Sequence, residues 1–221
     1  MTIFPEMFPP VLGCSILKRA IAKNVVVVQV HNLRDWSRDK HKKVDDRPYG
    51  GGPGMVMKPE PFFEAVEELK KLSPGVPHVV LLSPAGQRLN QAKVKTLAKK
   101  PWLILLCGHY EGIDERVRLQ LTEEEISIGD YVLTCGELPA MVLMDSVVRL
   151  LPGSLGDEQS TADESFCENL LEYPQFTRPP EYRGMRVPDV LLSGDSPAIV
   201  RWRKFQALRR THIQRPDLTH G

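Results

Sequence analysis

The sequence predicts an α/β fold in which helices cover both faces of a parallel sheet. Two features of the chain carry this expectation. Short, continuously apolar runs of β-forming residues recur along it, and helix-period stretches with short connections separate them. The length of 221 residues suits one large domain and one small one. A hydrophobic share of 42% is enough to build a core, which excludes a chain disordered throughout.

In chain order, the expected strands are 25–30 (VVVVQV), 78–83 (HVVLLS), 102–108 (WLILLCG) and 125–133 (EISIGDYVL). Their apolarity is continuous rather than alternating, as it must be where both faces of a strand are covered. The expected helices are 61–72, with Phe62, Val66 and Leu69 on one side, 90–100, and 136–153. The last is apolar nearly all round and should be buried, stopping at Pro152-Gly153. Two long irregular stretches interrupt the alternation: 31–60, charged and then glycine-rich, and 152–165, polar and rich in small residues. Loops of that length are functional or disordered. A further helix begins at Ser196 with Pro197 in its first turn, and Ile199, Trp202, Phe205, Ala207 and Leu208 form its apolar side. The expected division is a ligand-binding domain at 1–151, a linker at 152–165 and a small, mainly helical domain at 166–221.

Charge and cysteine placement narrow the functional classes. The net charge is only +1, yet residues 18–47 hold nine Lys/Arg and residues 201–215 hold six with no acid. Residues 111–145 carry nine acids. Two basic segments brought together suit a phosphate backbone; solvated faces are the plainer alternative. Cys14, Cys107, Cys135 and Cys167 form no CxxC pair, which disfavours a zinc knuckle or redox centre. The first residues lack the basic and apolar regions of a signal peptide, and no run approaches the ~20 residues that span a bilayer. A cytoplasmic protein with reduced thiols is expected.

Four glycines fall within five positions of Gly50–Gly51–Gly52–Pro53–Gly54, which calls for left-handed backbone or close approach to a ligand. No Gly-Lys-Ser/Thr follows, so this is not a P-loop, and the absence of GxGxxG after a strand disfavours a nicotinamide oxidoreductase. Three loops follow three apolar runs: LSPAG (82–86), CGHYEGIDER (107–116) and IGDYVLTCGELP (128–139). Ligands of open parallel sheets bind beyond the carboxyl ends of strands, so three such loops would wrap one small molecule. Leu82, Pro84, Ile128 and Leu133 would hold an apolar ring, and backbone groups would recognise its edge. His109 is read as a packing or hydrogen-bonding residue, and Glu111, Asp114 and Glu115 as solvated or paired acids. Arg149 either caps the apolar helix or serves a site at the mouth of the linker. Asp163 and Glu164 are either helix-start charges or a general base on a moving segment.

These motifs, with IFPEMF (3–8), RPYGGGPGM (47–55), EYPQFTRP and VPDVLLSG, closely resemble the bacterial tRNA (guanine-N1-)-methyltransferase (TrmD) family of the SPOUT superfamily. The resemblance runs over nearly the whole chain. It implies a deep trefoil knot in the first domain, which packing rules alone would not suggest. It also implies S-adenosylmethionine bound in that knot, a homodimer with each active site between subunits, and methyl transfer to N1 of the guanine immediately 3′ of the tRNA anticodon. The residues it implies for the methyl donor are Leu82, Pro84, Gly108, Tyr110, Glu111, Gly112, Ile128, Gly129, Asp130, Tyr131, Val132, Leu133, Gly136 and Pro139. Pro53, Gly54 and Phe166 would meet the target nucleotide, and Arg201, Arg203, Lys204, Arg209 and Arg210 the anticodon arm.

Arg149 matches the family arginine. The family base is an aspartate directly before Ser-Phe; that place is Glu164 here, with Asp163 one residue earlier, and register favours Glu164. Cys135 stands where the family usually has glycine and should narrow the pocket edge. Magnesium (Mg2+) comes with the resemblance as a requirement, without a ligand set in the sequence to explain it. Two other readings remain beside it: a SPOUT methyltransferase acting on a different RNA, and an RNA-binding module without activity.

Overall fold

The computed structural model describes residues 1–72, 75–155, 164–166 and 169–219. The chain forms two compact units, Met1–Gly156 and Asp157–Gly221.

The first unit is built on a parallel sheet of β3 (His78–Arg88), β4 (Leu103–Cys107) and β5 (Glu124–Ser127), in the order β4-β3-β5. The short pair β1 (Asp45–Asp46) and β2 (Val56–Met57) lies apart from it and brackets the glycine-rich loop. In β3, Val79 and Leu81 join one apolar cluster while Val80 and Leu82 join another. This explains the continuous apolar runs, because alternate residues of a strand point to opposite faces and both faces are covered. Helices α3 (Pro59–Leu72) and α5 (Glu115–Leu121) cover the first face through Phe62, Val66, Val117 and Leu121. Helices α4 (Gln91–Leu97) and α6 (Glu137–Val148) cover the second through Val94, Leu97, Ala140 and Leu143. Each large apolar side chain buried here contributes about 1.5–3 kcal/mol.

The ends of the elements follow from local chemistry. Asn90 Oδ1 accepts from Lys93 N at 2.9 Å and starts α4; Asp114 Oδ1 accepts from Arg116 N at 2.9 Å and starts α5. Near the end of β3 an ideal Cβ on Gly86 would lie 2.4 Å from the backbone of Glu125 and Ile126. Only glycine lets this stretch lie so closely on β5, where the pairing shifts register between Leu82 and Gln87.

Three expectations need correction. Residues 25–30 form no strand: alternate side chains are open to solvent, Val27 is 76% exposed, and parallel pairing nearby is limited to the Thr2–Asn32 bridge. The strand expected at 125–133 stops at Ser127. There the Ser127 hydroxyl binds both N–H and C=O of Gly129 and turns the chain out of the sheet. Helix α6 is buried on one side only, since Leu138 and Val142 are 44% and 45% exposed. The N-terminal helices α1 (Pro9–Leu12) and α2 (Ser15–Ala22), and the short helix α5 within a presumed loop, were not anticipated from periodicity.

The second unit holds a two-stranded hairpin, β6 (Glu181–Tyr182) with β7 (Met185–Arg186), and the helices α7 (Asp189–Leu192) and α8 (Ser196–Gln214). The cap of α8 is Asp195, whose side chain accepts from Ala198 N at 3.0 Å, so Ser196 is the first helical residue rather than the cap. Ala207 and Thr211 form its buried stripe, and the Thr211 hydroxyl donates to Ala207 O and accepts from Leu171 N. Phe205 and Leu208, expected on the apolar side, are 60% and 45% exposed.

Candidate functional site

Beyond the carboxyl ends of β4 and β5, and against the middle of β3, lies a cavity of about 400 Å³, within the range of small-molecule sites. Three loops close round it. The first leaves the middle of β3 with Leu82 and Pro84; the second follows β4 with Gly108, Tyr110, Glu111 and Gly112. The third, between β5 and α6, supplies Ile128, Gly129, Tyr131, Val132, Leu133, Gly136 and Pro139. All thirteen were singled out from sequence. Asp130 stands apart: it is exposed, does not line the cavity, and pairs with Arg88 at 3.2 Å.

The second and third loops are joined backbone to backbone. Gly136 N donates to Gly108 O at 2.8 Å, and His109 and Cys135 form an antiparallel bridge. An ideal Cβ on Gly136 would lie 2.7 Å from Gly108 N and 2.8 Å from Cys107 Cα. The backbone angles at Gly136 suit any residue, so the closeness of the neighbouring chain alone requires glycine there. Tyr131 folds back over Gly129, its N–H donating to Gly129 O at 2.9 Å. Tyr131, Val132 and Leu133 stay 55%, 83% and 37% exposed. They leave an apolar wall open at the mouth of the cavity.

Tyr110 adopts a left-handed backbone, φ +59°, which is uncommon for a non-glycine residue and clusters at functional sites. His109 packs edge-on between Phe4 and Tyr110, with ring centroids 5.1 and 4.6 Å away. Its buried Nδ1 has no hydrogen-bond partner among the described residues, and the ring lines the cavity. The packing role expected of it holds, and it is also a cavity residue.

The glycine-rich loop is fixed to this site by the segment that follows it. Glu111 N donates to Met55 O at 3.0 Å, Met57 N to Gly112 O at 2.9 Å, and Asp114 N to Met57 O at 2.9 Å. Gly54 lies directly against the Glu111 side chain. Gly50, Gly51, Gly52 and Gly54 all have left-handed φ, as their density predicted, while Pro53 and Tyr49 are exposed. Asp114 is paired with Arg116, whose guanidinium hydrogen bonds hold the carboxyl below the ordinary carboxylate range. Burial pushes the Cys107 thiol up to about 12. Cys135, half-buried, lines the cavity.

Arg149 is half-buried and ends α6, its N–H donating to Asp145 O at 3.2 Å; it does not line the cavity. Asp163 lies outside the described residues. Glu164 belongs to the second unit, followed by Ser165, whose Oγ accepts from Glu172 N, and by Phe166 at φ +72°. The Arg215 guanidinium lies over the Phe166 ring at 5.8 Å. On α8, Arg201, Lys204, Arg209 and Arg210 are exposed, whereas Arg203 turns inward over the Tyr173 ring at 4.8 Å.

Sequence reasoning missed Arg118, Glu125 and Thr134 as cavity residues, and Glu115, read as a solvated or paired acid, pairs with Arg118 and lines the cavity as well. Thr134 lies inside the loop 128–139 already noted, without having been singled out. Arg118 and Glu125 reach the cavity only through the packing of α5 and β5, which no local signal reports. Among the described residues no group of three or more His, Cys, Asp or Glu is placed to hold a metal ion, and no helix is long and apolar enough to cross a membrane.

Comparison with known proteins gives a consistent result. The family model described as tRNA (Guanine-1)-methyltransferase TrmD matches residues 1–221. A tRNA (guanine-N(1)-)-methyltransferase of Halalkalibacterium halodurans is 58% identical over 221 residues, covering 100% of this chain and 90% of the relative. Proteins of the same name from Geobacillus kaustophilus and Bacillus subtilis are 56% and 54% identical over 218 residues. They cover 99% of this chain and 89% and 90% of their own lengths.

Proposed function

The chain belongs to the tRNA (guanine-1)-methyltransferase family, and from that premise we propose that it methylates N1 of the guanine immediately 3′ of the tRNA anticodon, position 37, giving 1-methylguanosine. The observation that carries this reading is the cavity itself. Thirteen of the fourteen residues expected to hold the donor line one space beside the three parallel strands. Its size, its apolar Leu82, Pro84, Ile128 and Leu133, and the backbone groups around Gly108 and Gly136 fit S-adenosylmethionine. When bound, this donor supplies its methyl group as an electrophile on a sulfonium centre.

The residues of this chain have a different task, making guanine N1 a nucleophile. Neutral guanine carries a proton on N1, and its removal leaves negative charge on N1 and O6. Glu164, on register, takes that proton; Asp163 is the other carboxylate available to do so. Arg149 stabilises the charge at O6. A positioned base typically contributes about 10²–10⁴-fold and a preorganised donor about 10²–10³-fold. Pro53, Gly54 and Phe166 position the guanine. The exposed cations of α8 hold the anticodon arm, and a basic surface of this kind suits a phosphate backbone.

The same reading takes the first unit as a trefoil-knotted SPOUT domain and 152–165 as a lid that orders over donor and RNA. It places a working homodimer in the cytoplasm, with each site between two subunits. The open apolar side of α6, Leu138 and Val142, supports the dimer. For magnesium no ligand set is proposed.

The test uses labelled S-adenosylmethionine and unmodified tRNA transcripts that differ only at position 37. Label should enter the guanine transcript and not the adenine one. Label in neither, with donor binding intact by calorimetry, would point to another RNA target. In the same assay Glu164→Gln should lower kcat by about 10²-fold or more while donor affinity is kept. Near-full turnover in Glu164→Gln, with loss in Asp163→Asn, would transfer the role of base to Asp163.

A further inference from the structure

The second unit has a cavity of its own, about 470 Å³. Its polar and aromatic lining comes from Tyr173, Gln175, Phe176, Thr177 and Arg178 in the segment before β6, and from Trp202 and Arg203 on α8; aliphatic side chains of α7 and α8 close the rest. Phe176 and Trp202 face one another with centroids 6.3 Å apart and planes at 55°. Phe176 is 48% exposed, so much of its ring is open to solvent. The Arg203 guanidinium lies over the Tyr173 ring at 4.8 Å, and its buried Nε has no hydrogen-bond partner among the described residues.

A buried guanidinium N–H without an acceptor is costly unless a ligand completes it. An open aromatic ring such as Phe176 beside an arginine is a surface on which an unpaired nucleobase stacks, and amide and hydroxyl side chains such as Gln175 and Thr177 recognise base edges. The charge around the cavity agrees: residues 171–215 hold nine Lys/Arg against four Asp/Glu, favouring a polyanion over an apolar protein segment.

We propose that this cavity is a nucleotide subsite, separate from the methyl-transfer site, that takes one unpaired base of the RNA. The base stacks on Phe176 with Trp202 at its edge, and the Arg203 Nε–H donates to an oxygen or ring nitrogen of that nucleotide. The proposal rests on the reading of the chain as an RNA methyltransferase. Its consequence is that this unit grips RNA by more than backbone charge: one unpaired nucleotide outside the methylated position sets the register of the arm.

The experiment measures binding of anticodon-arm transcripts by fluorescence anisotropy to the wild type and to Phe176→Leu and Phe176→Tyr. Each unpaired nucleotide is made abasic in turn. On the intact arm, loss of the stacking ring in Phe176→Leu should weaken binding by about tenfold, and Phe176→Tyr should keep it within about twofold of the wild type. On the one arm lacking the stacked base, the wild type should bind about tenfold more weakly and Phe176→Leu should cost nothing further. Unchanged affinity in Phe176→Leu, or an equal loss on every abasic arm, overturns the subsite. So does unchanged RNA affinity with a shifted oligomeric state, which would mark the cavity as a protein contact. A wild type that binds no arm and methylates no tRNA overturns the methyltransferase reading and the subsite with it. Methylation by the wild type with unchanged binding in Phe176→Leu overturns the subsite alone.

Discussion

At the scale of single residues, the candidate donor site depends on how closely two stretches of backbone approach. The loops after β4 and β5 meet at Gly108 and Gly136, where one hydrogen bond of 2.8 Å joins them. A methyl group at Gly136 would lie 2.7 Å from Gly108 N, well inside contact distance, and the obstruction is backbone rather than a side chain able to move. Gly136→Ala is therefore expected to force the loops apart, costing about 1–3 kcal/mol of stability. The same displacement shifts the groups that line the cavity. Thermal unfolding should show the first effect and calorimetry with S-adenosylmethionine the second, as a weakening of about tenfold or more. A variant with wild-type melting and wild-type affinity would show that the loops tolerate separation and that the close approach has no function. Cys107 is buried, with its thiol held protonated up to about 12, whereas Cys135 lines the cavity.

Helix α5 shows how an element can escape notice in a sequence yet hold a site together. It is only seven residues long, Glu115–Leu121, and its start lies inside a motif whose glycines and acids read as loop. Asp114 makes it a helix, capping Arg116 N and pairing with the Arg116 guanidinium at 2.7 Å. Asp114→Ala should cost about 1 kcal/mol at neutral pH through loss of the cap. Asp114→Asn keeps an acceptor for the cap and removes only the charge. The Arg116 hydrogen bonds lower the carboxyl, so the stabilisation they provide is complete above the ordinary carboxylate value of about 3.9 and is lost as pH falls through the lowered one. The wild type should therefore unfold at higher urea than Asp114→Asn at pH 7, and the gap should close in acid; a gap that persists would assign the effect to packing. Long elements were more legible. α3 and α6 announce themselves by period and length, and β3 and β4 by uninterrupted β-branched and leucine runs. The run at 25–30 carries the same signal without a partner strand to satisfy it, and pairing is not a property of one segment. The candidate site was legible wherever it lies in loops with family-specific strings. Arg118 and Glu125 were not, because tertiary packing alone brings them to the cavity.

On the scale of the whole molecule, the open question is what covers α6. A helix apolar round its whole circumference is a core helix, yet this one buries Ala140, Leu143 and Val147 and leaves Leu138 and Val142 about half open. Apolar surface of this kind on an otherwise well-packed unit marks an interface, and a second copy of the chain is the partner the family reading supplies. In a twofold dimer the same patch meets itself, so a charge placed on it is brought against its own copy. Val142→Arg should therefore give a monomer in sedimentation where the wild type gives a dimer. Because each active site is taken to lie between subunits, turnover of tRNA should fall by about 10²-fold or more, the scale of losing positioned catalytic groups. Circular dichroism of the variant should stay that of a folded α/β protein, since Val142 is 45% exposed and belongs to none of the apolar clusters of the subunit. A wild type that sediments as a monomer while turning over at full rate would remove the dimer from the mechanism. The open side of α6 would then belong to a different partner.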